Sequence, residues 1–149
     1  MNVDVEPVQI KTILVAVDGS EFSDKAVRHA CALGQAMDAE VILLYVVPML
    51  VSATPYGDVT SDQPFLALQK VGEDIMARAK NMASKLGCTV VDLIDHGDPA
   101  RRIVDMADER SVDLILIGSL GVSGFKRLFT GSTSDKVAKN ARCPVMIVR

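Results

Sequence analysis

VDLILIGSLGVSGFKRLFTGSTSDKV, residues 112–137, is the stretch from which the fold is read. Five of its first six residues are apolar, a run too short for a helix and β-branched enough for a buried strand. That strand ends at Gly118. Gly118, Gly121, Gly124 and Gly131 follow, and Ser132, Thr133 and Ser134 open a short helical pattern. A strand that feeds a glycine-rich loop and then a hydroxyl-capped helix aims backbone amides at an anion. The stretch reads as a phosphate-binding loop; the plainer alternative leaves its glycines to tight turns and Ser132 to simple capping.

Downstream, Thr133 to Ala141 reads as a short helix and Pro144 to Val148 as a closing strand. Upstream, Lys11 to Asp18 is apolar on both faces, which marks a strand of a parallel sheet. Gly19-Ser20 turns the chain, and Ser20 caps a helix running from Glu21 to about Met37. Val41 to Val47 is a second buried strand, stopped by Pro48. Met49 to Pro64 reads as a long loop, functional or mobile, that holds Tyr56. Phe65 to Leu86 carries a helical apolar stripe, with Gly87 as its left-handed terminator. Cys88 to Asp95 alternates more than the other strands and is placed near an edge. Asp98-Pro99 starts a helix to about Arg110, and Asp113 to Ile117 is strand four. The alternation of five strands and four helices predicts one α/β domain over residues 1–149, an open parallel sheet with helices on both faces.

The totals narrow the function. The chain has 149 residues, is 49% hydrophobic and 23% charged, and carries a net charge of −3. No block of five like charges occurs, so neither a nucleic-acid footprint nor a polybasic membrane patch is expected. Three cysteines without a CxxC pair, and two histidines, argue against zinc and for thiols acting as small apolar residues in a reducing cytoplasm. The first nine residues lack the apolar centre of a signal peptide. No apolar run approaches the roughly 20 residues of a membrane helix.

In an open parallel sheet, ligands sit beyond the carboxyl ends of the strands, where strand order reverses. An order of 3-2-1-4-5 brings Asp18-Gly19-Ser20, at the end of strand one, beside Gly118-Ser119-Leu120-Gly121, at the end of strand four. Gly118, Gly121 and Gly131 then allow close approach of the backbone to phosphate, or positive φ. Ser132, Thr133 and Ser134 offer hydroxyls and free amides at a helix N-terminus. Neither GxxxxGK[ST] nor GxGxxG is present. His29 reads as helix surface, His96 as an exposed loop residue after strand three, and Asp18 either as a ligand or as a turn-supporting aspartate.

The spacing Gly118-x2-Gly121-x9-Gly131-Ser132 resembles the ATP-binding signature of universal stress proteins. The likeness extends over the whole chain: VAVDGSEFS at strand one, VILLYVVP at strand two, the turn at Gly97 to Pro99, and the closing CPVMIVR. It implies a flavodoxin-like fold of the adenine nucleotide α-hydrolase-like type, adenine nucleotide binding (ATP, ADP or AMP, with or without Mg2+), and a homodimer through the C-terminal strand Val145 to Val148. By position, Asp18 resembles the family's acidic residue near the adenosine. Ala16 and Val46 resemble positions beside the base, with Val17 adjoining. Gly118, Gly121, Gly131 and Ser132 resemble the signature residues around ribose and phosphates, flanked by Ile117, Ser119, Thr133 and Ser134. Leu120 departs from the Arg or His common between the first two glycines and removes a charged contact. Lys126 and Arg127, further along, read first as solvated surface.

Three functions compete. The leading one is a nucleotide-dependent stress-response switch with an unidentified protein partner and little or no hydrolysis. A slow ATPase or phosphotransferase is second, weakened because no base or nucleophile constellation is visible. A nucleotide-free dimeric scaffold is third. Gly121→Val is expected to abolish nucleotide binding and spare the fold.

Overall fold

The computed structural model describes residues 3–49, 62–120 and 132–149. The elements alternate: β1 (Thr12–Ala16), α1 (Glu21–Met37), β2 (Glu40–Pro48), α2 (Asp62–Lys85), β3 (Val90–Gly97), α3 (Pro99–Glu109), β4 (Leu114–Gly118), α4 (Thr133–Asn140) and β5 (Val145–Val148). The five strands form one sheet in the order β3-β2-β1-β4-β5, and every pairing is parallel. This is the expected α/β fold and strand order.

The side-chain period of two explains why the central strands are apolar throughout. Ile13 and Val15 of β1, Leu43 and Val47 of β2, and Leu114 and Leu116 of β4 pack toward α1 and α2. Leu14, Ile42, Leu44, Ile115 and Ile117 point the other way, onto α3 and α4. The largest of these are fully buried, and each such side chain contributes about 1.5–3 kcal/mol. β3 and β5 close the sheet as its edges. β3 leaves Val91 and Asp92 exposed, and the aspartate at such an edge position is why β3 reads as less uniformly apolar.

The helix starts follow their capping residues. Ser20 accepts from the Ser23 amide, Asp98 from Arg101 with Pro99 in the first turn, and Ser132 from Asp135. Gly87 has φ +71, as its terminator role requires.

Several expectations move. β1 is shorter than Lys11 to Asp18. β3 starts two residues later than Cys88, because the Cys88 amide is still bonded to the Ala83 carbonyl of the preceding helix at 2.9 Å. It then continues to Gly97, which pairs with Pro48. His96 is therefore a strand residue and not an exposed loop residue. Its ring stacks on Phe65 of α2 with centroids 5.2 Å apart, and its Nε2 is buried. α2 begins at Asp62, ahead of Phe65, since Pro64 is tolerated in a first turn. His29 lies on the exposed surface of α1, as expected. Tyr56, Gly121, Gly124, Lys126, Arg127 and Gly131 lie outside the described residues.

Candidate functional site

Parallel pairing points every strand's carboxyl end, and every following helix N-terminus, toward one side of the sheet. A cavity of about 240 Å³ opens there, near the lower end of small-molecule sites, about 300 Å³. It lies at the reversal of strand order, between β1 and β4.

Its apolar wall comes from the α3/α4 side of the sheet: Ala16, Leu44, Val46 and Ile117, closed by Pro99 and Ile103 of α3. Its polar rim is Asp18, Ser20 and Ser23 on one side, and Ser119, Ser132, Thr133 and Ser134 on the other. Val17, Gly118 and Leu120 also line it. Every proposed site residue that falls within the described part of the chain thus reaches the same cavity. Gly121 and Gly131 fall outside that part.

The two rims are held by local hydrogen bonds. Asp18 Oδ1 accepts from the Ser20 amide at 2.9 Å, so one carboxylate oxygen is committed to the turn and the other is not. The Ser20 hydroxyl accepts from the Ser23 amide at 3.1 Å and donates to the Leu120 carbonyl at 3.4 Å. Ser132 and Ser134 hydroxyls are 3.0 Å apart, and Ser134 Oγ reaches the Ser119 carbonyl at 3.5 Å. The amides of Thr133 and Ser134 open α4, where no intrahelical acceptor exists. Pro99 and Thr133, the first residues of α3 and α4, border the cavity, as do the α1 cap Ser20 and Ser23 of its first turn. Each helix start carries about half a positive charge, which favours an anion beside it, away from the Asp18 carboxylate; no Lys or Arg is among the described lining residues.

Gly118 lines the cavity and also makes room for a neighbouring helix. Its φ is not among the positive values of the described glycines. A Cβ there would meet Phe22 C and Cβ at 2.8 Å and the Ser23 amide at 3.0 Å. Its missing side chain lets the start of α1 pack on the end of β4, which positions Ser20 and Ser23.

Tyr45 also lines the cavity. Burial, and then the Asp18 carboxylate, push its phenol above the ordinary value, so it stays a neutral hydroxyl. Sequence reasoning missed Tyr45, Leu44, Ser23, Pro48 and Ile103 as wall residues, placed Ser20 at the crevice without naming it a binding residue, and read Pro99 only as part of a turn and helix start. A signal for Leu44 existed: it shares a strand face with Val46. None existed for Ile103, which arrives by helix docking.

No group of three or more metal-ligating side chains occurs among the described residues. No helix among them is long and apolar enough to cross a membrane.

The universal stress protein family model matches residues 9–149. The chain belongs to the universal stress protein family. This universal stress protein is 35% identical over 144 residues to YxiE of Bacillus subtilis, covering 92% of this chain and 97% of that one. It is 32% identical over 143 residues to MJ0531 of Methanocaldococcus jannaschii, covering 93% of this chain and 82% of the relative. Among solved structures, a universal stress protein in complex with cAMP superposes with a TM-score of 0.74 at 27% identity, covering 95% of this chain and 99% of that one.

Proposed function

We propose that this universal stress protein binds an adenine nucleotide in the crevice between β1 and β4, and that occupancy switches its interaction with a protein partner in a cytoplasmic stress response. One observation carries the reading: an apolar slot and a rim of hydroxyls and helix N-termini converge on a single cavity. The slot of Ala16, Leu44, Val46 and Ile117 suits a planar base. Asp18, through its uncommitted oxygen, suits a ribose hydroxyl. Thr133, Ser134 and Gly118 to Gly121, with Gly131 and Ser132, suit phosphates. A relative in complex with cAMP supports the ligand class. Asp18 is the one carboxylate among the described lining residues; a Mg2+ ion would take it together with phosphate and water oxygens. The described wall holds no histidine or lysine to serve as general base, which favours retention of the nucleotide over hydrolysis. The exposed edge of β5, with Met146 and Ile147 each 38% accessible, supports a twofold homodimer through Val145 to Val148.

The test is to purify the protein, denature it, and identify released nucleotide by chromatography, then titrate ATP, AMP and cAMP in the presence and absence of Mg2+. Retained nucleotide without ADP accumulation supports the switch. Steady ADP production establishes the ATPase reading instead, and no binding of any of the three overturns the assignment.

A further inference from the structure

Resting on the nucleotide reading above, we propose that Arg78 of α2 is a positioning residue of the crevice: it holds the turn after β1 in the arrangement that accepts the ligand, so the seating of α2 sets the affinity of the site. Neither Arg78 nor any other residue of α2 is among the described residues lining the cavity. Three residues of α2 spaced by three, Gly72, Ile75 and Arg78, nevertheless form a stripe against the crevice's frame. Gly72 lies against the ring of Tyr45, with which an added Cβ would collide, and Tyr45 lines the cavity. Ile75 covers Gly19: a Cβ built there would lie 3.0 Å from Ile75 Cδ1 and Cγ1. Arg78 completes the stripe. Its Nη2 donates to the Gly19 carbonyl at 2.9 Å and to the two carboxylate oxygens of Asp24 at 3.0 and 3.2 Å.

Gly19 stands between Asp18 and Ser20, both of which line the cavity. Its φ is +82, in the left-handed region that glycine enters freely and leaves as freely. The turn therefore needs an outside hold. The Gly19 carbonyl and the Ser20 N–H belong to one rigid peptide plane and point to opposite sides of it. Arg78, by fixing the carbonyl, aims the Ser20 amide at Asp18 Oδ1, where the bond is 2.9 Å. That bond commits one oxygen of Asp18 and leaves the other for the ligand. A bond from a guanidinium is about twice as strong as one between neutral groups, and Asp24, in the first turn of α1, holds the guanidinium in place. The path from α2 to the ligand thus runs through Arg78, the Gly19–Ser20 peptide and Asp18. Coupling of this kind is reciprocal: a contact that shifts α2 weakens nucleotide binding, and bound nucleotide fastens α2.

The experiment compares the full-length wild type with Arg78→Met, which keeps the aliphatic stem and loses the donors, and Arg78→Lys, which keeps a charged donor. Calorimetric titrations with ATP and AMP give affinity. Thermal melts and NMR hydrogen exchange of the Ser20 amide, both without nucleotide, give stability and the state of the turn. Arg78→Met should bind about tenfold more weakly and exchange the Ser20 amide faster. It should melt within about 2 °C of wild type, because the Arg78 side chain is 54% exposed. Arg78→Lys should recover affinity toward wild type. Unchanged affinity or unchanged Ser20 exchange in Arg78→Met overturns the positioning role and leaves the nucleotide reading standing. An affinity loss that only tracks a lowered melting temperature in both variants overturns it too, as a general loss of structure. A wild type that binds neither nucleotide overturns both.

Discussion

The Ser20 hydroxyl touches the Leu120 carbonyl at 3.4 Å across 100 residues of sequence, joining the turn after β1 to the turn after β4. Both turns line the crevice, so this contact marks where the two halves of the sheet meet. At 3.4 Å it is a long hydrogen bond that contributes little by itself. The same hydroxyl also caps α1 at 3.1 Å, and that is the larger effect.

Ser20→Ala should therefore lower stability by about 1 kcal/mol, the usual cost of losing a cap, and weaken nucleotide binding several-fold. Ser20→Asp should keep the cap and the stability, yet weaken binding through its charge at the rim. Urea midpoints at constant m, with parallel nucleotide titrations, separate the two effects. Equal affinity in all three proteins would place Ser20 outside the binding surface.

Gly118→Ala and Gly121→Val should differ in kind. The first puts a Cβ 2.8 Å from Phe22 backbone and side chain and should destabilise by about 1–3 kcal/mol through displacement of α1. The second should leave the unfolding midpoint near wild type and abolish nucleotide binding. Thermal melts and binding isotherms on both variants check the contrast, and retained ATP affinity in Gly121→Val would remove the loop assignment.

Gly72→Ala should be destabilising, against helix propensity. In an exposed helix interior, alanine for glycine is favourable by about 1 kcal/mol. At Gly72, however, the added Cβ would collide with the ring carbons of Tyr45. Because Tyr45 also lines the crevice, nucleotide affinity should fall with stability. A raised melting temperature would show that the Tyr45 ring moves aside at no cost.

Asp95 gives the protein an acid-sensitive tie between β3 and α3. Burial pushes its carboxyl up, but the His96 amide at 2.8 Å and the Arg102 guanidinium at 2.7 Å outweigh this and hold it below the ordinary value. A depressed carboxylate stabilises the fold above its unfolded pKa and loses that contribution as pH falls through the folded one. Wild type should lose stability as pH drops below about 4, and Asp95→Asn should show a shallower slope there with a lower plateau at neutral pH. Chemical denaturation between pH 7 and pH 2 measures both. Identical slopes would mean that other carboxylates dominate acid unfolding.

Met146→Lys should yield a monomer. A lysine on the β5 edge places charge where an isologous strand pairing would bury it. Sedimentation equilibrium distinguishes monomer from dimer, and an unchanged dimer would locate the interface elsewhere.

Most of this architecture was legible because the core strands are apolar on both faces and the helices begin at side-chain caps: Ser20, Asp98 and Ser132 each announce a helix from a single residue. The order 3-2-1-4-5 was a supposition in keeping with the flavodoxin-like resemblance; given that order, parallel topology brings Asp18 and the Gly118 turn to one crevice. His96 was misread because its burial depends on Phe65, a residue 31 positions earlier that stacks on it. Gly118 was read as a glycine of the binding loop and it lines the cavity, but the closeness of Phe22 to it depends on how α1 docks on β4 and left no local signal.

The sequence alone determined which segments are strand and helix, since hydrophobic period and capping act within a few residues. Tertiary structure alone decided which side chains wall the crevice and which glycines make room for a neighbour. Those depend on how helices dock across the two faces of the sheet, and no local pattern in the chain encodes that distance.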